Sequence, residues 1–205
     1  MRKFPFLACT AMLALLMACS EAPEQPAKAK EPPKPPEAVG ALKAFYQIYA
    51  YARSWATDIQ ILRVNNIDMK EVKSEPGKAG AWRVTLVSPS QQRSRTFTYS
   101  VIEAEGNLHK GVFGLQHEAY SQSGQAKPFP YQALKVDSDK AYEVAASRSA
   151  EYMKKNPNKA VNFQLELTPR CKNPAWRVFW GESISTSNYS ILVDASTGEF
   201  CQTLR

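Results

Sequence analysis

The sequence predicts an α+β protein of two tandem units, each one helix packed on a small antiparallel sheet, behind a signal peptide and a proline-rich linker. Three observations point there. A four-residue string recurs letter for letter, as Ala81-Trp82-Arg83-Val84 and again as Ala175-Trp176-Arg177-Val178. Other landmarks recur in the same order. Lys43-Ala44-Phe45 and Lys140-Ala141-Tyr142 stand near the start of helical patterns, and Gly106 and Gly198 stand at the far ends, with offsets of 92 to 97 residues. Landmarks shared in a fixed order mark a duplicated unit. Within each unit the hydrophobic period also switches from that of a helix to that of strands.

The N-terminus comes first. Arg2 and Lys3 precede an uncharged, mostly apolar run from Phe6 to Ala18. That run is too short to span a membrane and suits the core of a signal peptide. It closes as Leu16-Met17-Ala18-Cys19, which resembles the lipobox of bacterial lipoproteins. The resemblance implies that residues 1–18 are removed and that Cys19 is acylated, so the membrane is a partner through an N-terminal lipid. Ser20 follows the cysteine, and in a Gram-negative cell the same resemblance implies the outer membrane, facing the periplasm. Residues 19–38 form the stalk. Its six prolines, with Lys and Glu between them, cannot bury a core. In polyproline II form it reaches up to roughly 60 Å from the lipid.

The first unit is assigned to residues 39–125 and the second to 126–205. In the first, Leu42, Phe45, Tyr49, Ala52 and Ala56 recur at three and four residues, as one face of a helix does. Trp82, Val84 and Leu86 then face Phe97, Tyr99 and Val101 across a polar turn. In the second, Asp137 or Ser138 caps a helix running to about Met153, with Lys154 and Lys155 where the helix dipole favours them. Val161, Phe163, Leu165 and Leu167 alternate with Asn162, Gln164 and Glu166, and Trp176, Val178 and Trp180 pair with Tyr189, Ile191 and Val193. The final Val193-Asp194-Ala195-Ser196-Thr197-Gly198-Glu199, together with the Trp-Arg-Val strand, is similar to the PepSY domain over about Asp137 to Phe200. The first unit departs from that pattern, with Glu103-Ala104-Glu105-Gly106-Asn107 in place of the turn. The resemblance implies a non-catalytic extracytoplasmic module, either inhibitory toward a peptidase or a sensor or binding unit. Independently, Asp194 and Thr197 suit a tight turn, and Gly198 supplies a left-handed position.

The local signatures of catalysis, namely a phosphate-cradling glycine loop, a Gly-x-Ser-x-Gly elbow and His-Glu-x-x-His, do not occur. The two histidines, His109 and His117, sit on a glycine-containing stretch read as loop or frayed strand. The expectation is therefore no catalytic residue, no metal and no cofactor. Net charge is +7, of which Arg2 and Lys3 leave with the signal. The basic residues are spread and form no stripe beside stacked aromatics, so nucleic acid is not an expected partner.

Cys9 goes with the signal and Cys19 with the lipid, leaving Cys171 and Cys201 as a pair in an oxidising compartment. If the hairpin turns near Ile184 to Ser187, the two face each other at its open end. Arg177, Phe179 and Leu192 alternate onto the face opposite the core. They mark either a contact between the units or the surface that binds a partner. The function expected is a membrane-tethered binding or inhibitory module with an envelope protein or peptide as its partner. The alternative is a structural accessory lipoprotein of an outer-membrane or envelope assembly complex.

Overall fold

The alternation read in the sequence resolves into strands that join one large sheet. The computed structural model describes residues 35–121 and 126–205; the signal segment, Cys19 and most of the stalk lie outside them. The chain runs β1 (Val39–Gly40), α1 (Ala41–Ala52), β2 (Gln60–Ile67), β3 (Lys78–Ala79), β4 (Ala81–Ser88), β5 (Arg93–Ser100) and β6 (Gly111–Ala119). After a short 3-10 turn at Tyr131–Ala133 come α2 (Ser138–Arg148), α3 (Ala150–Lys155), β7 (Val161–Glu166), β8 (Ala175–Trp180), β9 (Ser190–Asp194) and β10 (Phe200–Leu204). Eight strands make one antiparallel sheet in the order β10-β9-β8-β7-β2-β4-β5-β6, and β1 pairs with β3 in a second, two-stranded sheet.

The order runs outward in both directions from the β2–β7 pair, so each side is a four-stranded meander preceded in the chain by a helix. In place of the two separate small sheets anticipated from the sequence there is one eight-stranded sheet. The seam is short in backbone pairing, Val64 with Leu165 and Asn65 with Gln164. Side chains extend it: Asn65 donates to Gln164 (3.0 Å), Asn66 donates to Asn162 (2.7 Å), and Asn66 accepts from the Phe163 amide (2.7 Å).

One face of the sheet carries the core. Trp82, Val84 and Phe97 from one side and Trp176, Val178 and Ile191 from the other belong to a single buried cluster with Phe45 and Ile48 of α1 and Ala141 and Ala145 of α2. Trp82 and Trp176 meet edge to face, with ring centroids 6.3 Å apart. Their indole N–H groups make matching bonds. Trp82 donates to the Val39 carbonyl (2.9 Å) and Trp176 to the Val136 carbonyl (2.8 Å), each two residues ahead of a helix.

Two helical details differ from the sequence reading. The buried face of α1 is Ala41, Ala44, Phe45, Ile48 and Ala52, with Leu42 and Tyr49 only flanking it, because the small alanines and Ile48 approach the sheet most closely. The second helix breaks at Ser149 (φ −121°, ψ 12°) and resumes as α3. Its start also serves α1. Asp137 accepts the amides of Ser138 and Leu42, while Ser138 Oγ accepts the Ala41 amide and donates to the Gly77 carbonyl. A Cβ at Gly40 would collide with the Asp137 carboxylate, so glycine is needed there for this shared cap.

Candidate interaction face

Because α1 and α2 pack on the core face, the alternate residues of each strand lie on the opposite, outer face. Registers across the sheet place them in rows. One row crosses all eight strands as Phe113, Thr98, Arg83, Asn65, Gln164, Arg177, Leu192 and Gln202. At its centre the bonded amides of Asn65 and Gln164 are flanked by Arg83 and Arg177, the two arginines of the repeated Ala-Trp-Arg-Val. Three strand spacings separate these arginines, about 14 Å between backbones.

The acids of this face lie apart from the two central arginines: Asp194 is taken up by its own turn and Asn173, and Glu118 stands out on β6 opposite Ser94. Glu166 is committed to Arg63, which approaches it at 3.2 Å. Arg83 is exposed, and its side chain has no ion pair or hydrogen bond among the described residues. Arg177 is half-buried, and its Nε donates to Ser190 Oγ (3.0 Å), which fixes the guanidinium. Burial pushes its pKa below the usual guanidinium value; Glu166 opposes that shift and Arg170 adds to it. Beside Arg83 in the row, Thr98 is 4 % exposed and its hydroxyl has no hydrogen-bond partner among the described residues.

Both ends of the face are covered. Met69, Ala81 and Leu108 form a small apolar cluster of their own, with Ile67, Ile102 and Ala104 against it, over the ends of β2 and β5 and the start of β4. At the opposite end Cys171 and Cys201 are joined in a disulfide, with Cα atoms 5.7 Å apart. The bond ties the β7–β8 loop to β10.

The predicted residues divide accordingly. Arg177 lies on the outer face as read. Phe179 (5 % exposed) and Leu192 (3 %) are on that face too, but both are buried outside the main cluster and offer no apolar surface to a partner. The expected cysteine pair forms. The β8–β9 hairpin pairs Ala175 with Asp194 at its open end, and Cys201 reaches that end from β10, at a register shift beside Val193 and Leu192, instead of from β9 itself. Asp194 accepts the amides of Ser196 and Thr197, and Gly198 (φ 80°) closes the turn, as the terminal motif suggested. Cys19 lies outside the described residues. Arg83, Asn65 and Gln164 were not singled out in the sequence. Arg83 was within reach, since the repeat makes it the counterpart of Arg177.

The histidines stand in separate contacts. His109 meets Glu103 at 2.6 Å, and His117 on β6 meets Arg93 at 2.6 Å. The Lys110 amide and His109 together hold the Glu103 carboxyl below its usual range. Among the described residues no three His, Cys, Asp or Glu side chains group as metal ligands would. Elsewhere, a cleft of about 510 Å³ opens where α2 breaks into α3, lined by Arg148, Ser149, Tyr152, Lys155, Tyr189 and Arg205 among others. Its wall is stiffened by Tyr152 stacked on Tyr189 at 4.1 Å.

No protein-family model matches the chain, and no curated protein matches it. Among solved structures it is similar to a candidate lipoprotein of Clostridium difficile 630. The identity is 12 % and the TM-score 0.41, over 76 % of this chain and 88 % of that one.

Proposed function

We propose that this chain is a lipid-tethered, non-catalytic binding module of the cell envelope, in which two tandem PepSY-like units engage a protein or peptide partner across the open face of their joined sheet. The observation that carries this reading is the one-sided packing of the sheet: α1 and α2 contribute to the core face, and the outer face keeps a central row of polar and cationic groups. An antiparallel sheet with one face packed on its core commonly leaves the other to solvent, where a partner can reach it. The tandem reading draws on the repeated Trp-Arg-Val, the matching indole bonds to Val39 and Val136, and the mirrored strand order about β2–β7. The PepSY-like reading draws on the Val-Asp-Ala-x-Thr-Gly turn at Val193 to Gly198. The tether draws on Leu16-Met17-Ala18-Cys19, with the stalk keeping the module near its membrane at high local concentration.

Site-specific photo-crosslinking in cells tests the reading. A photoreactive residue at Thr85 or Gln164 on the outer face should trap a discrete protein adduct, whereas one at Tyr46 on the exposed side of α1 should not. Equal adducts from both faces, or none from the outer one, would overturn the binding face. In the same cells a fatty-acid analogue should label the chain but not Cys19→Ser, and undiminished labelling of that variant would remove the anchor.

A further inference from the structure

We infer that the outer face recognises an acidic, extended segment of a protein partner, with carboxylates four residues apart bridging Arg83 and Arg177 over the Asn65–Gln164 pair. This rests on the reading of that face as the binding surface and names the chemistry it selects. The geometry follows from strand dimensions. In an extended chain, side chains at positions i, i+2 and i+4 point the same way, and four residues span about 13.6 Å. That matches the roughly 14 Å between the two arginine positions, three strand spacings apart. A segment lying along the row therefore sets one carboxylate over each guanidinium and its middle side chain over the amides.

The chemistry at each point agrees. The Asn65–Gln164 bond uses one donor and one acceptor, leaving the Asn65 carbonyl oxygen and a Gln164 N–H for that middle residue. Arg177 keeps its terminal nitrogens free because Ser190 engages only Nε, and a guanidinium presents a planar fork that suits a carboxylate. The row itself contains no acid, and Glu166, the next residue along β7 on the same face, is held by Arg63. A lipid surface fits less well. Among the described residues the exposed large apolar side chains are Tyr46, Tyr51 and Phe200; the first two lie on α1, and Phe200 pairs with the core-facing Val193, so none of them can insert from this face.

The test uses the full chain in detergent and a fluorescein-labelled nine-residue peptide with Glu at its third and seventh positions, read by anisotropy. Binding should weaken at least tenfold for Arg83→Gln and for Arg177→Gln. It should also weaken when the glutamates are moved to three residues apart, and it should be lost with Gln in their place. Arg83 is exposed, so its variant reports without disturbing the fold, and melting temperatures check Arg177→Gln. Equal binding by wild type and both variants, or displacement of the peptide by vesicles containing 30 % phosphatidylglycerol, overturns the inference. Crosslinks from Thr85 or Gln164 that persist undiminished in the double arginine variant would also sink it, while leaving the proposed binding function in place. Absence of any outer-face adduct would sink the function itself.

Discussion

Trp82 and Trp176 show how one residue type can organise a fold at two places. Each is fully buried, each donates its indole N–H to the carbonyl two residues ahead of a helix, and the two rings touch at the centre of the core. The indole thus fixes where a helix begins relative to the sheet, in addition to filling volume. Phenylalanine would keep most of the apolar contact but leave a buried carbonyl with one partner fewer. Trp82→Phe or Trp176→Phe should each lower stability by about 2–4 kcal/mol, from the lost bond plus the cavity. Because the rings are in contact, the double variant should depart from additivity by about 0.5–1.5 kcal/mol. Urea denaturation of the three variants measures this, and a loss below about 0.5 kcal/mol for either single change would show that the indole bond does no positioning.

At the scale of elements, the strands with clean alternation were legible and those at seams and edges were not. The pattern pairs β4 with β5 and puts Trp82 and Val84 on the face of Tyr99 and Phe97, whereas the register sets Leu86 opposite Arg95 and leaves Val101 beyond the strand. Strand β2 shows no clean alternation, because a register shift between Ile61 and Arg63 breaks its period and Asn65-Asn66 are both polar; those amides bond across the seam to Gln164 and Asn162. Strand β10 is an edge, partly exposed along both faces, and so carries no alternating signal. Of the site, Arg177 was legible through alternation. The Asn65–Gln164 pair was not, since it exists only once β2 and β7 are neighbours. The disulfide was legible from cysteine number alone, and its role follows from where it falls. It closes a separation of 30 residues and fastens an irregular loop to an edge strand with few other ties. Cys171→Ser with Cys201→Ser should cost about 3–4 kcal/mol through the unfolded state. Amide exchange should rise first in β10 and the 167–174 loop, so uniform exchange across the sheet would contradict the fastening role.

At the scale of the whole molecule, the question is whether the two meanders are domains in contact or halves of one cooperative unit. Backbone pairing between β2 and β7 involves few residues, which alone would permit separate unfolding. The side chains argue otherwise. The core cluster is continuous through the seam, with Trp82 against Phe163 at 6.3 Å and against Trp176 at the same distance. The cap of α1 is supplied by Asp137 and Ser138 from the start of α2, so α1 loses its N-terminal partners if the halves part. Each half alone would expose these buried aromatics and leave helix-end amides without partners. Residues Pro35–Arg205 should therefore unfold in a single transition, and Leu165→Ala, which removes a fully buried side chain at the seam, should cost about 2–5 kcal/mol. The decisive readout is where that cost is felt. Hydrogen exchange in increasing denaturant should show segments of β4–β5 and of β8–β9 losing protection at one midpoint, and Leu165→Ala should lower both together. If the variant moved only the β7–β10 half, or if wild type showed two midpoints, the seam would be a docking contact between independent domains. The matched arginines would then no longer be held at a fixed spacing.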